Sequence, residues 1–190
     1  MKRTLLPVAV AALFTALPAS AALETFTVDP NHTFPAFEIG HFGYSFQRGR
    51  FNKTTGKITL DTAAKQGSAD IAIDTGSVST GHAKLEENLR SEDFFNSAKH
   101  PQMTFKSNSF AFEGDKLKSA SGDLTISGVT RPVTLKAEYF NCAPHPMLKT
   151  KVCGAEFSTT IKRSDFGIKT YLPVLADDVL LRINVEAIKD

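Results

Sequence analysis

Tryptophan is absent from the sequence, and tyrosine, methionine and cysteine number three, three and two. The aromatic content rests instead on 15 phenylalanines. Phenylalanine offers a large apolar surface with no polar handle, so it suits a solid core or a greasy cavity equally well. An excess of charge of one sign is also missing. Setting aside Lys2 and Arg3, which belong to an N-terminal leader, the chain has 20 basic and 20 acidic residues. That balance excludes the basic surface that phosphate neutralisation demands of a nucleic-acid binder. It gives no reason to invoke attraction to anionic membranes.

The usual signatures of catalysis and metal binding are missing as well. There is no GxSxG elbow, GxGxxG turn, P-loop, HExxH or CxxC. The five histidines, His32, His41, His82, His100 and His145, include no i, i+4 pair for a metal. Asp177-Asp178 reads as a polar turn before the last strand. No catalytic residue, metal ligand or cofactor is expected. Cys142 and Cys153 have ten residues between them, with Pro144 and Pro146 in the interval. In an exported chain such a pair reads as a structural disulfide across a hairpin tip.

Export is indicated by the first 21 residues. Lys2 and Arg3 form a basic start, Leu5 to Leu17 an apolar run, and Ala19-Ser20-Ala21 a small-residue cleavage site. The run is short and interrupted by Pro7, unlike a membrane-spanning helix. No cysteine follows the cleavage site for lipid attachment. Residues 1–21 are therefore read as a signal peptide and 22–190 as one domain of about 169 residues, enough for a real core. The expected location is the periplasm, with secretion as the alternative.

The rest of the chain reads as strands of period two. The clearest is the last, where Val179, Leu181, Ile183, Val185 and Ala187 stand against Arg182, Asn184 and Glu186. Phe37, Ile39 and His41 share a face, followed by a bend at His41 to Ser45. Ala69, Ile71 and Ile73 form another such face, as do Met103 and Phe105. Val133, Leu135, Ala137 and Tyr139 are expected to share a face too. One stretch breaks the pattern. Gly81 to Asn96 reads as helical, with Leu85 and Leu89 on one side, Thr80 as N-cap and Ser91 opening a second short turn.

About eight strands joined by short turns imply an antiparallel meander. Eight strands close into a barrel that is either filled by side chains or holds one small ligand. A β-sandwich is the alternative, and the helical insertion favours a barrel covered at one end. On the inward face His41 is either a polar group in a cavity or a hydrogen-bonded core histidine. Arg90 and Asp93 either meet a ligand headgroup or make a local ion pair or capping contact.

Four segments then bring a family into view: Phe37 to Ser45 with Gly49-Arg50-Phe51, Leu89 to Phe95, Gly122 to Val133, and Ser164 to Ile168. With these the chain resembles the YceI-like family of exported bacterial proteins, also described as polyisoprenoid-binding or lipid-binding. The resemblance implies an all-β, eight-stranded antiparallel lipocalin-like barrel with one helical insertion covering an end. It also implies a periplasmic setting, a homodimer as one assembly, and an exchange partner at the membrane. The implied ligand is an amphiphile with an isoprenoid or fatty tail, such as a polyprenyl quinone. Where the family often has an Arg-Asp pair before the position of Leu89, this chain has Leu85-Glu86-Glu87-Asn88. The expected ligand contacts are Phe37, Ile39, Phe42, Tyr44 and Phe51 from the first strands. Leu85, Leu89, Phe94 and Phe95 come from the lid, and Phe105 and Phe166 lie beyond, with His41 and Arg90 as polar contacts.

Three functional classes follow. The leading one is a binding protein that sequesters or transports a long-chain isoprenoid lipid without catalysis. The second is an enzyme acting on such a lipid or on a small secreted metabolite, which requires titratable groups clustered in the pocket. The third is an interaction module with a solid core.

Overall fold

The computed structural model describes residues 23–190. The expected signal peptide, 1–21, lies outside them. Eleven strand segments form one antiparallel sheet: β1 (Glu24–Val28), β2 (Phe34–His41), β3 (Ser45–Phe51), β4 (Thr54–Asp61), β5 (Gln66–Asp74), β6 (Val78–Ser79), β7 (Gln102–Glu113), β8 (Lys116–Ile126), β9 (Val129–Pro144), β10 (Lys151–Lys162) and β11 (Leu175–Lys189). A helix, α1 (Ala83–Arg90), lies between β6 and β7.

The segments reduce to eight staves because three of them are broken in the middle. β11 carries β2 on its first half and β1 on its last, so β1 and β2 are one stave interrupted at Asp29–Thr33. β3 and β4 form the second stave, and β5 and β6 the third. The pairing of β1 with β11 closes the ring, which makes an eight-stranded meander barrel.

Each break is held by side chains that replace the missing ladder bonds. At the first, Thr33 Oγ1 donates to the Glu186 carbonyl and accepts from the Glu186 amide, 3.2 and 3.1 Å. At the other two, Ser77 Oγ accepts from the amides of Asn52 and Lys53, both at 3.1 Å, and donates to the Asp74 carbonyl at 2.7 Å. Buried backbone groups need such partners.

Side-chain alternation follows the sequence reading on most staves. On β11 Val179, Leu181, Ile183, Val185 and Ala187 all face inward. The expected face on β9 is corrected by a bulge. Phe157 pairs with Ala137 while Glu156 pairs with Tyr139, so the ladder skips Glu138. One extra residue reverses the alternation. Tyr139 therefore points outward, 57% exposed, and Phe140 turns inward. His41 to Ser45 is a reversal, not a bend. The Tyr44 amide donates to the His41 carbonyl at 3.0 Å, and Phe42 and Gly43 both have positive φ, 53° and 75°. Positive φ at both central positions is the backbone of a type I′ turn, here within a three-residue connection because His41 pairs with Ser45.

The end of the barrel beside β1 is plugged. Phe26, Leu60 and Ala187 are almost fully buried there, with Phe140 and the two cysteines packed against them. Cys142 and Cys153 face each other across β9 and β10 and are joined as a disulfide. The bridge should stabilise by about 3 kcal/mol on the chain-entropy model. Replacing both cysteines by alanine is expected to lower the unfolding free energy in urea by that amount, with the denaturant slope nearly unchanged.

Candidate functional site: an apolar cavity under a helical lid

The opposite end is parted. β7 pairs with β5 only as far as Gln102, and β6 covers only Arg50 and Phe51 of β3. Helix α1 and residues 91–99 occupy the space between. The helix starts at His82, not at the expected Thr80. His82 Nδ1 accepts from the Leu85 amide at 3.1 Å, which occupies one of the free first-turn donors. Thr80 serves differently: its amide donates to Glu86 Oε1 at 2.7 Å, and the Gly81 amide donates to the same oxygen at 3.1 Å. These bonds, the Thr80 amide foremost, hold the Glu86 carboxyl below its usual range. The helix also ends sooner than expected. It stops at Arg90, and residues after Ser91 form turns in which the Phe95 amide bonds to the Leu89 carbonyl. Those turns aim Phe94 and Phe95 inward alongside Leu85 and Leu89.

Beneath this lid lies a cavity of about 480 Å³. Its walls come from all eight staves and are almost wholly apolar. Among the described residues no carboxylate lines it. Phe95 stands edge-on to Phe51 and Phe37, ring centroids 5.3 and 6.3 Å apart. Phe37 lies against β3 at Gly49, where a Cβ would sit 2.4 Å from the ring. Glycine is required there by close approach, not by a special backbone angle.

Polar groups gather toward the lidded end. His41, Gln47, Arg48, Thr80 and Asn88 line the cavity there. The His41 ring contacts Phe42, centroids 4.2 Å apart, and makes no hydrogen bond among the described residues. Arg48 Nε donates to Glu38 at 2.6 Å. Arg163 lies at the same end and is buried. Nε donates to the carbonyl of Ala176 (2.8 Å), Nη1 to those of Ile168 (3.2 Å) and Thr170 (2.8 Å), and Nη2 to that of Leu175 (3.1 Å). Burial pushes the guanidinium below its ordinary value, opposed by the charge of Asp177. The fork thus ties the loop 167–175 to the end of β10, a geometry that lysine does not reproduce. Deeper in, the buried Thr54 hydroxyl faces the cavity and has no hydrogen-bond partner among the described residues.

The expected contacts Phe37, Ile39, His41, Phe42, Phe51, Leu85, Leu89, Phe94, Phe95, Phe105 and Phe166 all line this cavity. Tyr44 does not. It sits past the hairpin reversal and is 90% exposed. Arg90 does not either. It follows Leu89 by about 100° around the helix and lies near Glu86 one turn back. Asp93 is exposed, and its carbonyl accepts from Thr170 Oγ1 at 3.1 Å. Sequence reading missed Arg163, Arg48, Tyr171 and Leu175. Arg163 offers no local signal, because its four acceptors come from the loop before β11 and the first two residues of β11, which only the tertiary fold brings to it.

Two outcomes are expected at this site. Gly49→Ala should push Phe37 from its seat and cost about 1–3 kcal/mol in urea unfolding. In a Phe37→Ala background the same change should cost much less, since only the Thr80 methyl, 3.0 Å from the added Cβ, remains to give way. The second concerns Asp177, whose oxygens accept from the Ser164 amide at 2.9 Å and its hydroxyl at 2.7 Å. Burial works to raise its pKa, but the Ser164 bonds prevail and hold it below the usual carboxylate range. Its contribution to stability is present above the unfolded value of about 3.9 and is lost as pH falls through the lower folded value. Asp177→Asn should therefore melt below the native protein at pH 7, with the gap closing below about pH 4.

Comparison with known proteins agrees with this architecture. Protein YceI of Escherichia coli O157:H7 is 42% identical over 193 residues, spanning 100% of this chain and 99% of that protein. The crystal structure of Burkholderia cenocepacia BcnA superposes with a TM-score of 0.72 at 25% identity, covering 84% of this chain and 98% of BcnA. A polyisoprenoid binding domain from Saccharophagus degradans shares the fold, with a TM-score of 0.66 at 18% identity over 89% of this chain and 100% of that domain. The YceI-like domain model matches residues 26–187, essentially the whole barrel, and the chain belongs to the YceI-like family.

Proposed function

We propose that the protein is a periplasmic binding protein that sequesters or carries a long-chain lipid, its isoprenoid or fatty tail buried in the barrel. The observation that carries this reading is the cavity: enclosed by the staves, almost wholly apolar, and with its amide, imidazole and guanidinium side chains toward the lid. Burying a tail that water excludes contributes about 25 cal/mol per Å² of apolar surface and needs no directional contacts. A few polar groups then fix orientation. His41, Gln47, Arg48 and Asn88 would meet the head, with the tail running toward Phe26 and Leu60. A polyprenyl quinone fits this division, its ring carbonyls accepting from donors at the lidded end. The named binding specificity of the Saccharophagus degradans domain supports the same ligand class. Binding without chemistry suits a wall that, among the described residues, no carboxylate lines.

Mass spectrometry of an organic extract of the natively purified protein should show a long-chain amphiphile near one per chain. Leu89→Asp, which puts a carboxylate in the apolar wall, should lower that occupancy at least about tenfold. Ile39→Asp provides the same test from the opposite wall should the lid variant fold poorly. Protein that is empty as purified and takes up no polyprenyl quinone would falsify the reading.

A further inference from the structure

Five large apolar side chains stand exposed around the lidded end of the barrel. Phe42, Tyr44 and Phe46 come from the β2–β3 hairpin, with exposures of 46, 90 and 59%. Tyr171 and Val174, at 57 and 59%, come from the loop that Arg163 holds. The two sources are adjacent, because Leu175 is the strand partner of His41. The loop also touches the lid: Tyr171 and Phe94 have ring centroids 6.4 Å apart. Phe42 and Tyr171 belong to both surfaces. Each lines the cavity and is also open to solvent, so the apolar wall continues without interruption from the interior to the outside.

The backbone beneath these two residues is unusual. Among the described residues six non-glycine residues have positive φ, and the two large aromatic ones among them are Phe42 (53°) and Tyr171 (63°). The first position of a type I′ turn favours Asn, Asp or Gly. Here it holds a phenylalanine whose ring gains no burial in a core. Strained backbone under an exposed apolar side chain points to a role outside the fold's own stability.

We propose that this rim is a docking surface for a phospholipid bilayer, set so that the cavity opens onto the membrane interface. The occupant is argued from continuity and charge. The rim borders the proposed lipid cavity, and on that reading the cargo resides in a bilayer before and after it is carried. Tyrosine is enriched at membrane interfaces with its hydroxyl at headgroup level, and the apolar Phe and Val side chains beside it reach the acyl boundary. Charge contributes little: Arg48 is already paired with Glu38, and the chain outside its expected leader is formally neutral. Docking therefore requires no anionic lipid and persists in salt, unlike attachment through a polybasic patch.

The test uses the natively purified chain with phosphatidylcholine vesicles. With no tryptophan present, the three tyrosines are the fluorophores, and Tyr44 and Tyr171 lie on the rim. The native protein should float with the vesicles at low and high salt, and brominated phosphatidylcholine should quench its tyrosine emission. The double variant Phe46→Asp/Val174→Asp changes two rim residues that do not line the cavity. It should lose vesicle partition about tenfold or more while extracting with the same lipid content as the native protein. Native protein that does not float, a variant that floats equally well, or binding that needs anionic lipid and fails in salt would each overturn the proposal. So would a native dimer that the variant converts to monomer, since a second copy would then cover the rim. Lipid content is read separately, so empty protein that still floats would sink the carrier reading and leave docking standing.

Discussion

Closure of the sheet through β1 and β11 is the constraint on which the rest of the molecule depends. A closed ring satisfies its backbone laterally and leaves no edge to cap, so it can afford side chains that do not fill its centre. Closure also has a geometric consequence. β11 is long enough to serve β2 and β1 in turn, and that neighbouring stave and the two that follow it are each broken. The side chains of Thr33 and Ser77 take up backbone groups at those breaks. The wall is thus continuous at the plugged end and parted at the other.

That parting separates two kinds of cohesion. The plugged end is held by ladder hydrogen bonds, a disulfide and a core cluster around Phe26. The lidded end is held by side-chain contacts: Phe95 on Phe51 and Phe37, Phe94 near Tyr171, and Thr170 on the Asp93 carbonyl. Contacts of the second kind shift without breaking a strand ladder. A passage for a bulky amphiphile is therefore cheaper to open under the lid than anywhere else on the wall. Arg163 sits between the two regimes, a buried cation whose bonds to four carbonyls define the loop facing the lid.

Much of this was legible in the chain. Period-two alternation located the inward faces of β5 and β11, and Leu85 with Leu89 marked the inward side of α1. It failed where the period itself changes. The bulge opposite Glu138 exchanged Tyr139 for Phe140, and nothing local distinguishes a bulged strand from a regular one. The helix boundaries moved for a similar reason. Thr80 and His82 both suit an N-terminus, and the choice was made by Glu86 reaching back to Thr80 and Gly81. Tyr44 was misplaced because the turn type at Phe42–Gly43 depends on a positive φ that phenylalanine does not advertise.

The sequence by itself determined the all-β class, the inward residues of each regular strand, the disulfide partners and the family. These are properties of neighbouring residues and of composition, where a period of two or a motif carries the information. Tertiary structure decided that the interior is a cavity and not a solid core, since filling depends on how far closure holds opposite walls apart. It also decided that Arg163 is buried, that polar groups collect at one end, and that Phe42 and Tyr171 reach both inside and outside. Each of these joins segments far apart in the chain, and only the closed ring sets their distance.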